Sequence, residues 1–157
     1  NNALRECLLA GLLCNDSTLE EKSGRWEVHG DPTEGALIAS ASKAGLGQKE
    51  WSARLRRIDV IPFESQHQYM ASLHERWSAD DGQTEGQKLY VKGAAEVVLA
   101  KSVAMLDVSG HKVPLDVASV QRQLESLAAK GLRVLVLASA DLGDNVKSIT
   151  HSDVNNL

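Results

Sequence analysis

The sequence predicts an α+β domain in which an antiparallel β-sheet is flanked by helices. Two segments, 55–61 and 69–77, alternate apolar and polar residues, as neighbouring strands with one buried face do. Apolar residues near the N-terminus recur at helical spacing instead, and a capped helix start follows at Asp31. Strands joined by a short connection pair in antiparallel fashion, so the two alternating segments define the sheet and the helical segments cover it.

The composition is that of a single globular domain. A chain of 157 residues needs only one core, which removes about two-thirds of the unfolded surface from water. The net charge of -4 argues against a nucleic-acid partner, because binding to a phosphate backbone needs a concentrated basic face. A membrane-spanning helix needs about 20 consecutive apolar residues, and no apolar run in this sequence is that long. We therefore expect no direct membrane insertion of these 157 residues. Cys7 and Cys14 stand two turns apart on one predicted helix, roughly 10 Å by helical rise, which excludes a disulfide between them.

The first thirty residues are predicted to form one helix and one short strand. Leu4, Leu8 and Leu12 recur at helical spacing and predict a helix over 2–14, which the turn-forming residues after Cys14 end. The polar stretch 20–24 predicts a loop, and the alternation over 26–29 predicts a short strand.

A second helix is predicted over 32–44 from its end signals. Asp31 is a favoured N-cap residue, Pro32 suits the first helical position, and Glu34 occupies the third position of a capping box. Gly45 supplies the left-handed residue that commonly closes a helix.

The sheet is predicted from three strands. Segments 55–61 and 69–77 are expected to be antiparallel neighbours joined through the loop at 63–68, and a third strand is expected over 88–92. In the second strand, one face is expected to carry Tyr69, Ala71, Leu73 and Trp77. Met70 is the first residue of the opposite face. The acidic, glycine-containing stretch 78–86 predicts an exposed hairpin loop.

The C-terminal half is predicted to hold two helices and a central strand. Helices are expected over 94–103 and 114–130, the second with a core face of Val117, Val120, Leu124 and Leu127 and with Gly131 after its end. The almost uniformly apolar segment 132–138 predicts a strand in the middle of the sheet. The residues from about 141 to 157 are polar and predict a tail or hinge.

The junction Val91–Ala95 has the features of an anion site, because a strand ends there and a helix begins. Lys92 offers three donors, Gly93 lets a ligand approach the backbone, and the following helix start offers free N–H groups and a positive dipole end.

Five motifs along the chain occur in the order and spacing of one known family. They are Cys14-Asn15-Asp16, GDPTEGAL at 30–37, PF at 62–63 followed by Met70, VKGAAE at 91–96, and GLRVLVLA at 131–138. The chain therefore resembles the nucleotide-binding domain of type II P-type cation-transporting ATPases, the branch that includes the calcium pumps. The resemblance spans nearly the whole chain and implies the same α+β fold.

The resemblance also implies a function. Residues 1–157 would form one nucleotide-binding domain, a cytoplasmic part of a longer integral membrane protein, inserted between the halves of a phosphorylation domain. It would bind ATP through its adenosine end and deliver the γ-phosphate to an aspartate of that phosphorylation domain. The parent would be an ATP-driven cation translocase that uses Mg-ATP and also contains an actuator domain. The segment alone would bind nucleotide as a monomer without turnover, contribute no catalytic residue and hold no magnesium.

Two residues are candidates for binding adenine. Phe63, the only phenylalanine, could stack on the base or belong to the core, and the resemblance favours stacking. Glu34 is explained equally well by the capping box, whereas the resemblance assigns its carboxylate to the exocyclic amine of adenine. Guanine presents an oxygen acceptor at that position and would be repelled.

Three further residues complete the predicted nucleotide site. Lys92 is the strongest candidate, although a strand-end lysine is solvated by default, and Gly93 would allow close approach of the ligand. Arg133 interrupts an apolar segment, so its guanidinium either reaches the surface or meets an anion; the resemblance suggests phosphate or ribose.

Two positions depart from the family pattern, and one alternative function stays open. Ser65 and Gln68 stand where many relatives carry an arginine and a lysine, which predicts a less basic pocket. No histidine spacing predicts a metal site. The alternative is a nucleotide-free protein-interaction domain in which three tryptophans, Trp26, Trp51 and Trp77, serve packing or a partner surface.

Overall fold

A computed structural model describes residues 1–77 and 84–157 of the chain. Within these residues, no helix is long and apolar enough to cross a membrane. In chain order the elements are α1 (Asn2–Leu13), β1 (Thr18–Lys22), β2 (Arg25–His29), α2 (Pro32–Lys43), α3 (Gln48–Arg54), β3 (Arg57–Glu64), β4 (Tyr69–Trp77), β5 (Thr84–Gly93), α4 (Ala95–Ala100), β6 (Ala104–Leu106), β7 (Lys112–Pro114), α5 (Val117–Ala128), β8 (Val136–Leu142) and a 3₁₀-helix (His151–Asp153).

The main sheet is antiparallel and follows the order β3-β4-β5-β8, so the predicted α+β class is confirmed. β4 has the predicted bounds and pairs with β3 on one side and with β5 on the other. β1 with β2 and β6 with β7 form two small hairpins beside it. The loop predicted over 78–86 lies largely outside the described residues, because β5 already begins at Thr84.

The two faces of β4 contribute to two separate hydrophobic clusters, as the alternation predicted. Met70 joins a cluster with residues of α1 and α2, among them Leu12 and Ile38. Tyr69, Ala71 and Leu73 join a second cluster on the other face of the sheet, to which α4 and the C-terminal segment contribute. We call these sides the helical face and the C-terminal face; the helical face also contains Tyr90.

Helix α2 begins as predicted but does not close its capping box. Asp31 accepts hydrogen bonds from the backbone N–H groups of Thr33 (2.8 Å) and Glu34 (3.1 Å). Both bonds lower the pKa of the Asp31 carboxyl, and the bond from the Glu34 N–H has the larger effect. The Asp31 N–H donates to the hydroxyl of Ser17 at 2.9 Å instead of to Glu34. The Glu34 carboxylate is therefore available for other contacts.

Two elements near the N-terminus differ from the prediction. The stretch 20–24, expected to be a loop, contributes to strand β1, whose exposed, charged residues show no alternation because neither face is buried. Helix α3 was not predicted, since it spans only seven residues and buries none of them completely.

The prediction of a central strand over 132–138 was wrong. β8 begins only at Val136, which pairs with Gly93, the last residue of its partner β5. The residues before Val136 therefore have no described strand opposite them. Among the described strands β8 pairs with β5 alone and lies at the edge of the sheet.

The helices of the C-terminal half are shorter and less buried than predicted. α4 ends at Ala100 rather than 103, and α5 buries no residue completely. On its predicted core face, Val117 is 43% and Leu127 37% exposed. The amphipathic pattern of α5 thus marks a side that is only partly covered.

The segment from 141 to 157 is packed rather than a free polar tail. Ile149, Val154 and Leu157 are buried in the cluster on the C-terminal face. The backbone N–H of Leu157 donates to the carbonyl of Lys101 at 3.0 Å. A hinge role for this segment stays a prediction.

His74 is a buried polar residue of β4 on the helical face. Its ring nitrogens lie 2.8 Å from the Leu55 carbonyl and 2.9 Å from the Ser72 hydroxyl. Burial, with a smaller contribution from the charge of Arg57, lowers the pKa of His74 to about 4. His74 is therefore neutral in the folded protein at neutral pH.

We expect this histidine to make the domain less stable in mild acid. Between pH 6.5 and 4 the unfolded chain protonates His74 and the folded chain does not, so stability is complete above pH 6.5 and falls as the pH falls. From pH 7.5 to pH 5 the free energy of unfolding should fall by about 2 kcal/mol more in the wild type than in His74→Asn. Urea unfolding at both pH values measures this, and equal losses would contradict it.

Candidate functional site

The most buried ion pair among the described residues joins helix α2 to the end of strand β5. The Lys92 amine lies 2.5 Å from Oε1 of Glu34 and 2.8 Å from the Cys14 carbonyl oxygen. Only 7% of the Lys92 side chain and 16% of the Glu34 side chain are exposed. Two residues 58 positions apart, both predicted from motifs, are thus in direct contact.

The surrounding segments fix the Glu34 carboxylate through its second oxygen. Oε2 accepts hydrogen bonds from the Ser17 hydroxyl at 2.8 Å and from the Asp16 N–H at 3.1 Å. The Asn15 side chain donates to the Glu34 carbonyl at 3.0 Å. The sequence prediction did not include these supporting residues, although Asn15 and Asp16 belong to one of its motifs.

The pair retains a small unused bonding capacity. An ammonium has three donors, and Lys92 uses two of them; each carboxylate oxygen has two acceptor positions, and Oε1 of Glu34 uses one. Among the described residues, one Lys92 donor and one acceptor position of Glu34 Oε1 are therefore left without a partner. The adjacent Cys14 thiol adds no charge, because burial raises its pKa to about 11.

At the strand-to-helix junction, the groups predicted to hold an anion contact the protein itself, and anion binding there stays a prediction. Lys92 is directed at Glu34, the N–H of Ala94 donates to the Gln68 carbonyl at 3.0 Å, and α4 has only six residues. Gly93 has a packing role: a Cβ there would lie 2.5 Å from the Gln68 carbonyl oxygen and 2.9 Å from the Tyr69 Cα. A part for Gly93 in ligand binding stays a prediction.

Arg133 lies at the beginning of helix α2. It is exposed, and its Nη1 donates to the Thr33 hydroxyl at 3.1 Å. Thr33 directly precedes Glu34 in the chain, so the guanidinium is held at the same end of α2 as the ion pair. The guanidinium thus reaches the surface, and its contact with an anion stays a prediction.

Phe63 is on the same side of the sheet as Lys92 because of a β-bulge. The pairing of β3 with β4 shifts by one residue between Ile61 and Glu64, so that Glu64 is opposite Tyr69. Strand alternation then directs Phe63 away from the Tyr69 side, towards the face of Met70 and Lys92. β3 and β5 flank β4, which separates the two backbones by about 10 Å. Phe63 is 59% exposed and therefore not a core residue.

A cavity lies elsewhere on the helical face. It has a volume of about 500 Å³ and is lined by charged residues and by Trp51 and Tyr90. Trp51 packs between two guanidiniums, with Arg5 5.0 Å and Arg54 5.4 Å from its ring centre. None of the five predicted site residues lines this cavity.

Comparison with known proteins identifies the family. The model of the family described as P-type ATPase, cytoplasmic domain N, matches residues 3–156. The chain belongs to this family. The resemblance carried by the sequence motifs is thereby confirmed, and with it the cytoplasmic position of the N domain.

Relatives of the N domain are named as cation-transporting or calcium-transporting ATPases. It is 45% identical over 151 residues to Cation-transporting ATPase pma1 of Synechocystis sp., covering 96% of this chain and 16% of the relative. It is 42% identical to a Probable cation-transporting ATPase F of Mycobacterium bovis, covering 86% and 14%. It is 31% identical to a Calcium-transporting ATPase of Bacillus subtilis, covering 86% and 15%. The chain thus spans about one-sixth of the length of these relatives.

Proposed function

We propose that this N domain binds ATP through the adenosine end of the nucleotide. In the full-length protein it would deliver the γ-phosphate to an aspartate of a separate phosphorylation domain, as part of a cation-pumping P-type ATPase. The observation that carries the proposal is the buried Glu34–Lys92 pair, in which one donor of Lys92 and one acceptor position of Glu34 have no partner among the described residues.

The free groups of this pair complement adenine. Adenine presents an exocyclic amine, which donates, next to a ring nitrogen, which accepts. The amine would donate to Oε1 of Glu34, and the Lys92 amine would donate to the ring nitrogen. Guanine has an oxygen acceptor in place of the amine, so this oxygen would face the Glu34 carboxylate without a hydrogen to share and would be repelled. We therefore expect ATP to bind more tightly than GTP.

Two exposed residues, Phe63 and Arg133, would complete the contacts. Phe63 offers a solvent-accessible ring on the same side of the sheet as Lys92, suited to stacking on the base. Arg133 would contact the phosphates or the ribose from the start of α2. Ser65 and Gln68 add no positive charge, so the adenosine end would supply most of the affinity.

The expected affinity is weak. Stacking, the two hydrogen bonds to adenine and one phosphate contact, reduced by the entropy lost on binding, give a net of about 4–5 kcal/mol, which corresponds to a dissociation constant near 1 mM or slightly tighter. Titration with ATP, followed by amide chemical shifts, should perturb residues around Glu34, Phe63 and Lys92. No perturbation there at several millimolar ATP would contradict the proposal.

Replacing Phe63 by alanine should weaken ATP binding selectively. Loss of base stacking costs about 1–3 kcal/mol, a factor of roughly 5 to 150 in the dissociation constant. Trp26→Ala is the matched control, because Trp26 is a similarly exposed aromatic residue, 64% accessible, on the separate hairpin β1–β2. An unchanged affinity in Phe63→Ala, or an equal loss in Trp26→Ala, would argue against stacking at this position.

The parent protein is proposed from the names of the relatives. Those names specify cation-transporting and calcium-transporting ATPases. We propose that the parent couples Mg-ATP use to cation transport and that this domain meets its phosphorylation and actuator domains. No residue of the Glu34 site is assigned a catalytic or metal-binding role; the site binds and orients the adenosine, and the chemistry takes place on another domain.

A further inference from the structure

Three potential metal ligands meet on the C-terminal face of the sheet, although no sequence spacing predicted a metal site. Glu64 ends strand β3, His67 lies in the turn to β4, and His151 begins the 3₁₀-helix. One ligand atom from each residue lies within 4.8 Å of the other two. Sequence spacing could not reveal this cluster, since the fold brings His151 to the turn from the far end of the chain.

The turn between β3 and β4 fixes two of the three residues. The N–H groups of His67 (3.0 Å) and Gln68 (2.8 Å) both donate to the Glu64 carbonyl, which closes the turn. Nε2 of His67 lies 3.6 Å from Oε2 of Glu64. The carboxylate and this imidazole nitrogen are therefore close together, and both contact the side-chain amide nitrogen of Gln66, at 3.0 Å and 3.2 Å.

The third ligand is oriented by a neighbouring tyrosine. Nδ1 of His151 lies 2.5 Å from the Tyr69 hydroxyl, and its ring stacks on that of His67 with centres 3.9 Å apart. A hydrogen bond at one ring nitrogen fixes a histidine ligand and leaves the other nitrogen for a metal.

We propose that Glu64, His67 and His151 form a binding site for a divalent transition-metal ion such as Zn²⁺. Two imidazoles with one carboxylate suit zinc and leave a fourth position for water. Tetrahedral bonds of about 2.1 Å place ligand atoms about 3.3 Å apart, so a closure of at most about 1.5 Å is needed. Glu64 is exposed and His67 half-buried, so their side chains can make this movement by rotation.

This site is separate from the proposed nucleotide site. Glu64 pairs with Tyr69 and lies on the C-terminal face, whereas Lys92 pairs with Met70 and lies on the helical face. A bound ion would connect the turn after β3 to the packed C-terminal segment. We expect the ion to stabilise the fold by linking these two segments. Metal binding can therefore be tested in the absence of nucleotide.

The experiment is a Zn²⁺ titration of the tag-free chain in the absence of nucleotide. One ion should bind per chain, shift the ring signals of His67 and His151 while leaving those of His111 unchanged, and raise Tm by about 5 °C at a hundredfold excess over its dissociation constant. Mg²⁺, which prefers all-oxygen sites, should produce neither effect.

Variants at the turn distinguish this site from adventitious binding. His67→Ala and Glu64→Gln should each weaken Zn²⁺ binding at least tenfold, and neither removes a buried side chain. His111→Ala is the matched control, because His111 also lies 3.6 Å from a carboxylate, that of Asp107, and should leave the affinity unchanged. Binding that survives both turn variants, or falls equally in His111→Ala, would overturn the proposal, as would the absence of Zn²⁺ binding.

Discussion

Replacing Lys92 by methionine is expected to lower the free energy of unfolding by about 3 kcal/mol. Removing one partner of a buried ion pair leaves the other charge without compensation, which typically costs 3–5 kcal/mol. The lower end applies here, because 16% of the Glu34 side chain is exposed and Ser17 and Asp16 still donate to it. The Cys14 carbonyl would also lose its partner. Urea unfolding at pH 7.5 measures the change.

Two further variants separate burial from the mere loss of a lysine. Lys88→Met removes another lysine of β5, 2.7 Å from Glu6, but this pair is more exposed, at 21% and 30%, so about 1 kcal/mol or less is expected. Adding Glu34→Gln to Lys92→Met removes the stranded charge and should restore at least about 1 kcal/mol. Similar losses in Lys92→Met and Lys88→Met, or no recovery in the double variant, would contradict the assignment.

Replacing Gly93 by alanine should destabilise the domain by about 3 kcal/mol. The added methyl group would lie 2.5 Å from the Gln68 carbonyl oxygen, 2.6 Å from the Tyr69 Cβ and 2.9 Å from the Tyr69 Cα. Two of these atoms belong to the backbone, which cannot turn aside as a flexible side chain can, so the cost lies at the upper end for overpacking. Thermal and urea unfolding both report it.

Gly143→Ala is the control for the Gly93 variant. No atom lies within 4 Å of a Cβ placed at Gly143, so the substitution should be neutral or stabilise the domain by up to about 1 kcal/mol through the unfolded chain. Equal stability of Gly93→Ala and Gly143→Ala would contradict the prediction, because the backbone at Gln68 and Tyr69 would then have moved away from the added methyl group at little cost.

Local signals predicted the elements that have local causes. β4 was predicted residue for residue, because it contributes alternate side chains to two different clusters, and two-residue alternation records that directly. The start of α2 was predicted because Asp31 satisfies the N–H groups of its own first turn. The cap of α2 is made by residues close in sequence, and the two faces of β4 follow a strictly periodic pattern.

Elements decided by distant partners were predicted poorly. The start of β8 depends on where β5 ends, and the packing of 149–157 depends on a cluster built from β3, β4 and β5. The three buried residues of that final segment follow no helical or strand period. The apolar side of α5 is a true amphipathic pattern, yet a pattern cannot tell whether another element covers it.

The candidate site was predicted as residues but not as an arrangement. Motifs selected Glu34 and Lys92, whereas their mutual contact, with its support from Ser17, depends on folding. The side of the sheet on which Phe63 lies depends on a one-residue bulge, and Pro62 signals only an edge strand or a bulge without giving its register. For Gly93 the residue was chosen with a ligand in view, and the fold provides a packing reason that needs none.

The self-contained bonding of Glu34 and Lys92 has a kinetic consequence. Both groups are already paired within the protein, so a ligand adds only one bond to each and displaces no poorly satisfied charge. With a dissociation constant near 1 mM and an association rate of about 10⁶ M⁻¹s⁻¹, a bound nucleotide would leave within about a millisecond. Such a short residence time lets the pocket refill continuously, and in a magnetic resonance titration it would produce single averaged peaks that move rather than two sets that exchange intensity.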